Sequence, residues 1–404
     1  MSSTVNKSAL KKLKRRYSEK GLVLALGAGV SQGSDLPSWE ELIKRLSDKL
    51  GSIEGAPKLV YSALKKAGYG LPAVVGVVEA LYSESGSDFA EAIQEQLYLG
   101  FPYYKQEMKE ENRRAFVKHV GANKTLRAVA AMCAVKAEGA GRSYRRNPRL
   151  HAIVTTNVDS VLRTYIRARY QRWESQESEL VRTIERPSAG RVYDSIPIYY
   201  LHGLIRFDKD VNEVHKHAAD LRVFTEQEFF DFFNNPHGLF NYTFLYLLRE
   251  FSCVFLGMSL KDDNIRRLLH YSKKERFESE RHELLGLPTR KQNEKLLKHF
   301  KKLPRDDSER TRRLAELADR ASRRHFLIDR YPRKKARPVK GSPSPVEGLK
   351  DERLAGLIEI SLKRLGVNVL WLDDYSDIPK LLRQVYKSTP EGHTWRDVYG
   401  MQIP

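Results

Sequence analysis

The chain has 404 residues, which at roughly 100 to 200 residues per domain allows two domains, or one large domain with an insert. A 41% hydrophobic and 10% aromatic content excludes intrinsic disorder despite 30% charged residues, and no apolar run approaches the roughly 18 residues of a membrane-spanning helix. The formal net charge is +20, and its excess is concentrated in residues 271–340, where 23 Lys or Arg face 11 Asp or Glu.

The first 20 residues form a basic segment (Lys11, Lys12, Lys14, Arg15, Arg16) with no apolar stretch of the kind a signal peptide needs. A cytoplasmic location and no membrane association are therefore expected, with these cations on a solvated helix face. Residues 22–26, Leu-Val-Leu-Ala-Leu, read as a buried strand that stops at Gly27-Ala28-Gly29-Val30-Ser31. Ser38 and Glu41 have capping-box spacing, and Leu42, Ile43, Leu46 and Leu50 share the face of the helix that follows. Strand, glycine turn and capped helix stand in the order of a nucleotide-binding crossover.

Residues 51–149 read as a helical insert, with apolar stretches at 73–81 and 126–135 and no strand of comparable quality. Strand patterns resume at 151–155, 198–201 and 253–257, each ending in polar residues or glycine. In a parallel sheet those are the carboxyl ends that present a site. Residues 326–328 and 367–371, the latter after an amphipathic stretch at 354–365, complete the pattern. The fold class expected is α/β, a doubly wound Rossmann-like parallel sheet with a large helical insert. The division along the chain is 1–20, a core at 21–270, a basic helical segment and linker at 271–350, and a last strand, helix and tail at 351–404. Pro332 to Pro345 reads as an exposed linker.

Several features carry no chemistry of their own. Cys133 and Cys253 each lie in an apolar segment, so they read as buried thiols and supply neither a disulfide framework nor a four-cysteine zinc site. His215 and His217 sit among lysines in a solvated loop. The aromatic run from Phe224 to Tyr246 lacks basic interleaving and reads as core or subunit interface. Positive charge over residues 271–340 favours a polyanion, whether nucleic acid, an acidic protein or a phosphate-bearing metabolite. A solvated helical surface is the other reading, since Glu309-Arg310-Thr311-Arg312-Arg313-Leu314 holds no base-reading motif.

The glycine turn alone does not make a dinucleotide fingerprint, because GxGxxG needs glycine where the chain has Gln32. Asp48, about 20 residues on, lies inside the helix rather than at a strand end. The ordered set is more specific: Gly27-Ala28-Gly29-Val30-Ser31, Leu36-Pro37-Ser38-Trp39, Thr155-Thr156-Asn157-Val158-Asp159, Leu201-His202-Gly203, and 257–264, Gly-Met-Ser-Leu-Lys-Asp-Asp-Asn.

On these motifs the sequence resembles the sirtuin superfamily, and among its members the sirtuin-like NAD hydrolases of bacterial anti-phage defence. The resemblance implies that Gly27, Ala28, Gly29, Ser31 and Thr156 bind the dinucleotide, with Gly257, Ser259 and Asp262 lining its adenosine half. It implies Asn157 as the residue orienting the nicotinamide ribose or the attacking water, Asp159 as its supporting acid and His202 as the catalytic histidine. The chemistry agrees: a neutral imidazole accepts a proton near pH 7, and a carboxamide fixes a hydroxyl without titrating. The chain departs from deacylating sirtuins in three ways. It lacks the zinc-binding cysteine pairs, it has Thr156 where they carry Gln, and it has Ser38-Trp39 where they carry Asp-Phe-Arg.

The activity so implied is an NAD glycohydrolase, NAD being substrate and no metal being required. It would act by NAD depletion and be regulated by homo-oligomerisation or by a partner such as a ring-shaped HerA-like DNA-translocase ATPase. A scaffold subunit that binds DNA or such an ATPase through residues 271–340 and uses the NAD fold as a sensor is the alternative. A protein deacylase is the third reading.

Overall fold

A computed structural model describes residues 6–19, 21–53, 57, 59–106, 109–134, 149–170, 180–184, 195–207, 225–235, 238–332 and 351–388. The chain opens with α1 (Lys7–Ser18), whose Ala9, Leu10, Leu13 and Tyr17 are buried while Lys11, Lys12 and Arg15 face solvent. Strand β1 (Leu22–Leu26) is buried along its whole length. That is why it is a continuous apolar run rather than an alternating one. Ser38 then caps α2 (Trp39–Leu50) by accepting from the Glu41 N–H at 3.2 Å, and Leu42, Ile43, Leu46 and Leu50 form its buried face.

Helices α3 (Val60–Lys66), α4 (Leu71–Glu84), α5 (Phe89–Leu97), α6 (Glu110–Val120) and α7 (Lys124–Ala134) follow, and the described residues of 51–149 contain no strand before Leu150. The sheet resumes with β2 (Leu150–Thr155), α8 (Val161–Tyr170), β3 (Val181–Ile184) and β4 (Ile196–Tyr200). After α9 (Glu226–Asn234) and α10 (Leu239–Glu250) come β5 (Ser252–Leu256), α11 (Asp263–Leu285), α12 (Thr289–Leu297), α13 (Asp307–Ser322), β6 (His325–Arg330), α14 (Asp351–Arg364), β7 (Val367–Leu372) and α15 (Ile378–Tyr386).

The seven strands form one parallel sheet of order β3-β4-β2-β1-β5-β6-β7, the doubly wound α/β arrangement expected. Strand β3 has no counterpart among the strand patterns of the sequence. It has four residues and lies at an edge, where Arg182 is exposed and the apolar run that marks β1 has no reason to occur. Cys133 on α7 and Cys253 on β5 are buried, and burial pushes each thiol up to about 12, so both stay protonated. Of the aromatic run, Phe244 is buried whereas Phe230, Tyr242 and Tyr246 are exposed. No helix among the described residues is long and apolar enough to cross a membrane. His215, His217 and residues 333–345 of the linker lie outside the described residues.

Two compact units are distinguished. One comprises the described residues of Lys14–Tyr242, Leu256–Met258 and Ser376–Pro404, and the other those of Met1–Leu13, Thr243–Phe255 and Ser259–Tyr375. The first holds β1 to β4. Its register is level at the carboxyl ends, since Leu26 is opposite Thr155 and Thr155 opposite Tyr200. The second holds β6, β7 and the three helices α11 to α13, whose core is Leu284, Leu296, Leu314, Leu317 and Ala318. The compositional change at residue 271 falls inside α11.

The exit of β1 is fixed by glycine against glycine. Gly27 N–H donates to Leu256 O and Gly29 N–H to Gly257 O, each at 3.0 Å. A Cβ on Gly27 would lie 2.6 Å from Gly257 O, one on Gly29 would lie 2.9 Å from Gly257 Cα, and one on Gly257 would lie 2.7 Å from Val30 N. Gly257 also has φ +70°, whereas Gly86 has nearly the same φ, +68°, with nothing within 4 Å of a Cβ.

Replacement of Gly86 by alanine therefore incurs only left-handed strain, about 1–2 kcal/mol. Gly257→Ala adds a backbone clash costing about 1–3 kcal/mol more. Thermal unfolding of both variants is expected to give a Tm drop several degrees larger for Gly257→Ala. Equal drops would show that the glycine contact is slack.

Candidate active site

The level register brings three loops to one edge of the first unit. One residue beyond the strands stand Gly27, Thr156 and Leu201; two residues beyond stand Ala28, Asn157 and His202. The ladder continues past the strand ends: Thr156 N–H donates to Leu26 O at 3.2 Å and Leu201 N–H to Thr155 O at 2.9 Å. Further on, Ile205 N–H donates to Val158 O at 2.6 Å and Asp159 bridges Ile205 in parallel. The Asn157 and His202 loops thus run side by side. Gly203, at φ +88°, lets the chain turn directly after His202.

Ser31 ties the first loop to the second. Its buried hydroxyl accepts from Asn157 Nδ2 at 3.0 Å and hydrogen-bonds the Asp159 carboxylate. Since a hydroxyl has one proton to give, the order is carboxamide N–H to hydroxyl oxygen, and hydroxyl proton to carboxylate. The Asn157 N–H donates to Thr155 Oγ1 at 3.0 Å, which fixes the backbone of the same residue. With Nδ2 held by Ser31, Asn157 Oδ1 is left buried with no hydrogen-bond partner among the described residues. A buried acceptor of this kind costs about 1–3 kcal/mol unless a ligand or water satisfies it.

Asp159 is buried, and burial pushes its carboxyl above the ordinary carboxylate value. Hydrogen bonds from Ser31 and from the Val161 N–H, at 3.1 Å, act in the opposite direction. The second of these bonds fixes the first residue of α8 against the loop before it.

The glycine loop presents few free donors. The N–H groups of Gly27 and Gly29 are taken by the β5 exit, that of Val30 by Gly27 O and that of Ser31 by Ala28 O. Over residues 27–31 the Ala28 N–H alone lacks an acceptor among the described residues. Ser259, exposed, and Asp262 belong to the second unit. Asp262 caps α11 by accepting from the Ile265 N–H at 2.8 Å.

Two residues of the helical insert that sequence reasoning missed hold this edge in place. Asn123, just before α7, donates from Nδ2 to Val30 O at 2.8 Å and Ser34 Oγ at 2.9 Å, while its Oδ1 accepts from the Leu126 N–H. Tyr98, after α5, donates to Ile205 O at 2.6 Å and accepts from the Ser160 N–H at 3.1 Å, so one hydroxyl joins both loops. The only local signal is the Asn before a helix, which reads as an ordinary cap.

Because the folded state holds the Asp159 proton more tightly than the unfolded chain does, this group costs stability as pH rises through its folded pKa. Asp159→Asn, which keeps an oxygen for the Val161 N–H, is expected to raise Tm at pH 8, with the gain shrinking as pH falls toward 4. Thermal melts across that range check it. A lower Tm at pH 8 would show that the Ser31 hydrogen bond outweighs the burial of charge.

Comparison with known protein families matches residues 151–304 to the SIR2-like domain. No curated protein matches the chain. The matched span contains the Asn157, Asp159 and His202 loops, Gly257, Ser259 and Asp262, whereas the glycine loop at 27–31 lies before it. SIR2-like domains bind NAD, so the domain at 151–304 supports the sirtuin-like resemblance and points to an NAD-utilising enzyme.

Proposed function

We propose that the chain is an NAD glycohydrolase, splitting the bond between nicotinamide and ribose to give nicotinamide and ADP-ribose. The observation that carries this reading is Asn157 Oδ1, a buried acceptor with no partner among the described residues, beside the His202 loop at the carboxyl edge of the sheet. The bond breaks as its electron pair leaves with nicotinamide, and positive charge develops on the ribose. A carboxamide oxygen held by its own nitrogen through Ser31 is oriented to accept from a ribose hydroxyl or a water and to favour that charge. Water adds at the ribose carbon, and its proton passes to a base, the role assigned to His202.

The residues present fit the dinucleotide in a specific way. Ala28 N–H is available to a phosphate oxygen, and exposed Gly29 puts no side chain over the loop. Gly27 and Gly257 serve this site by letting two backbones touch, and Asp159 by orienting Ser31. The motif resemblance supports a wider role as an anti-phage effector that acts by NAD depletion, with activity released by self-assembly or by a HerA-like ATPase. Two cysteines cannot supply the zinc module of deacylating sirtuins, which favours water over an acyl-lysine as the acceptor.

Chromatography of NAD incubated with the purified chain, alone and with proteins encoded beside it, is expected to show nicotinamide and ADP-ribose in equal amounts. Asn157→Ala and His202→Ala should each lower turnover by about 10²–10⁴-fold, with Tm changed by no more than a few degrees. NAD left intact under every condition would refute the reading.

A further inference from the structure

The positive charge of the second unit is not spread evenly once its ion pairs are drawn. Along α13, just after it and at two positions of α11, the cations are paired with carboxylates. Arg281 pairs with Glu278, Lys273 and Arg323 with Asp319, Arg324 with Glu280, Arg310 with Asp307, Arg313 with Glu309 and Arg312 with both Glu309 and Glu316. Arg320 pairs with Glu316 and, with Arg313, lies over the Phe300 ring. On α12, Arg290 and Lys295 pair with Glu294 and Glu283.

Of the exposed cations with no acidic partner among the described residues, five stand together within residues 291–305. Lys291, Lys298, Lys301, Lys302 and Arg305 are all exposed and have no acidic partner among the described residues, and between Leu297 and Arg305 the chain has no Asp or Glu at all. This stretch is anchored rather than loose. Phe300 packs on the helical core, Lys302 O accepts from Arg313, and the Arg305 N–H donates to Glu309 Oε2 at 2.7 Å.

We propose that the bridge from α12 to α13, with Lys291, Lys298, Lys301, Lys302 and Arg305, is a nucleic-acid contact surface that grips the phosphodiester backbone without reading sequence. Four of its five cations are lysines. Lysine is depleted at the cores of protein interfaces but serves as a point charge for phosphate. The bridge spans at most about 25 Å from Lys298 to Arg305, within which duplex DNA offers many phosphates. Four lysines and one arginine exposed on one short stretch, with no Asn or Gln among the five, suit phosphate contacts, so affinity comes from counterion release.

Fluorescence anisotropy of a labelled 30-base-pair duplex with the full chain, from 50 to 200 mM salt, tests this. A variant with all five residues changed to Gln should bind at least about 100-fold more weakly at 50 mM salt. Its plot of log affinity against log salt should flatten by about 0.9 for each phosphate that is no longer neutralised. The control carries the same charge change at paired positions: Arg281, Arg290, Lys295, Arg312 and Lys363, the last paired with Glu359 at 2.8 Å, all to Gln. It should stay within a few-fold of the unaltered chain.

Equal weakening in both variants would overturn the proposal in favour of diffuse net charge. Unchanged binding of the five-residue variant, no binding of the duplex by the unaltered chain, or tighter binding of poly-glutamate than of the duplex would overturn it as well. If the five-residue variant melts early, Lys301→Gln/Lys302→Gln carries the same comparison, against Arg281→Gln/Arg312→Gln. NAD turnover is not the readout, so failure here leaves the proposed hydrolase untouched.

Discussion

The candidate site depends on a contact with no side chains in it. Gly27 and Gly29 leave β1 against Gly257, close enough that a Cβ on any of the three would meet backbone. Two hydrogen bonds run along the seam. Moving the β1 exit outward by the width of a methyl group would carry Ser31 with it. Ser31 is what holds the Asn157 carboxamide and the Asp159 carboxylate in register. The glycines are thus required by the sheet's own packing before any ligand is considered.

Around that seam the helical insert acts as a brace. Asn123 uses both ends of its amide, one on the start of α7 and the other on the glycine loop, so the helix and the loop cannot move independently. Tyr98 does the same for the loops after β2 and β4, inside an aromatic cluster with Phe101, Tyr104 and Phe207. A site built this way is organised in advance, and the buried Asn157 Oδ1 is a part of it that the described residues leave without a partner.

The sheet is legible in the sequence where strands are buried on both faces. β1 and β5 announce themselves as apolar runs and β2 as Ala152-Ile153-Val154 after an exposed His151, and their ends fall within a residue of where those patterns stop. Strand β3 does not, because an edge of four residues needs no such run. Asn157, Asp159 and His202 are visible as an ordered set. What no local pattern can show is that Ser31 couples the first two across 126 positions, or that the glycine N–H groups are taken up by β5. The basic segment shows the same limit. Its charge is countable, but only the fold pairs Lys273 with Asp319, 46 positions away, and leaves the α12–α13 bridge unpaired.

If the site is built for NAD, the unsatisfied oxygen of Asn157 is there for the substrate. A crystal structure of the full chain with carba-NAD, whose ribose-to-nicotinamide link cannot hydrolyse, tests that claim most directly. Asn157 Oδ1 is expected within about 2.6–3.2 Å of a ribose hydroxyl or of a water on the ribose carbon, with a phosphate oxygen at the Ala28 N–H. A bound analogue that leaves Asn157 Oδ1 without a partner, or that lies at another face of the sheet, would contradict it.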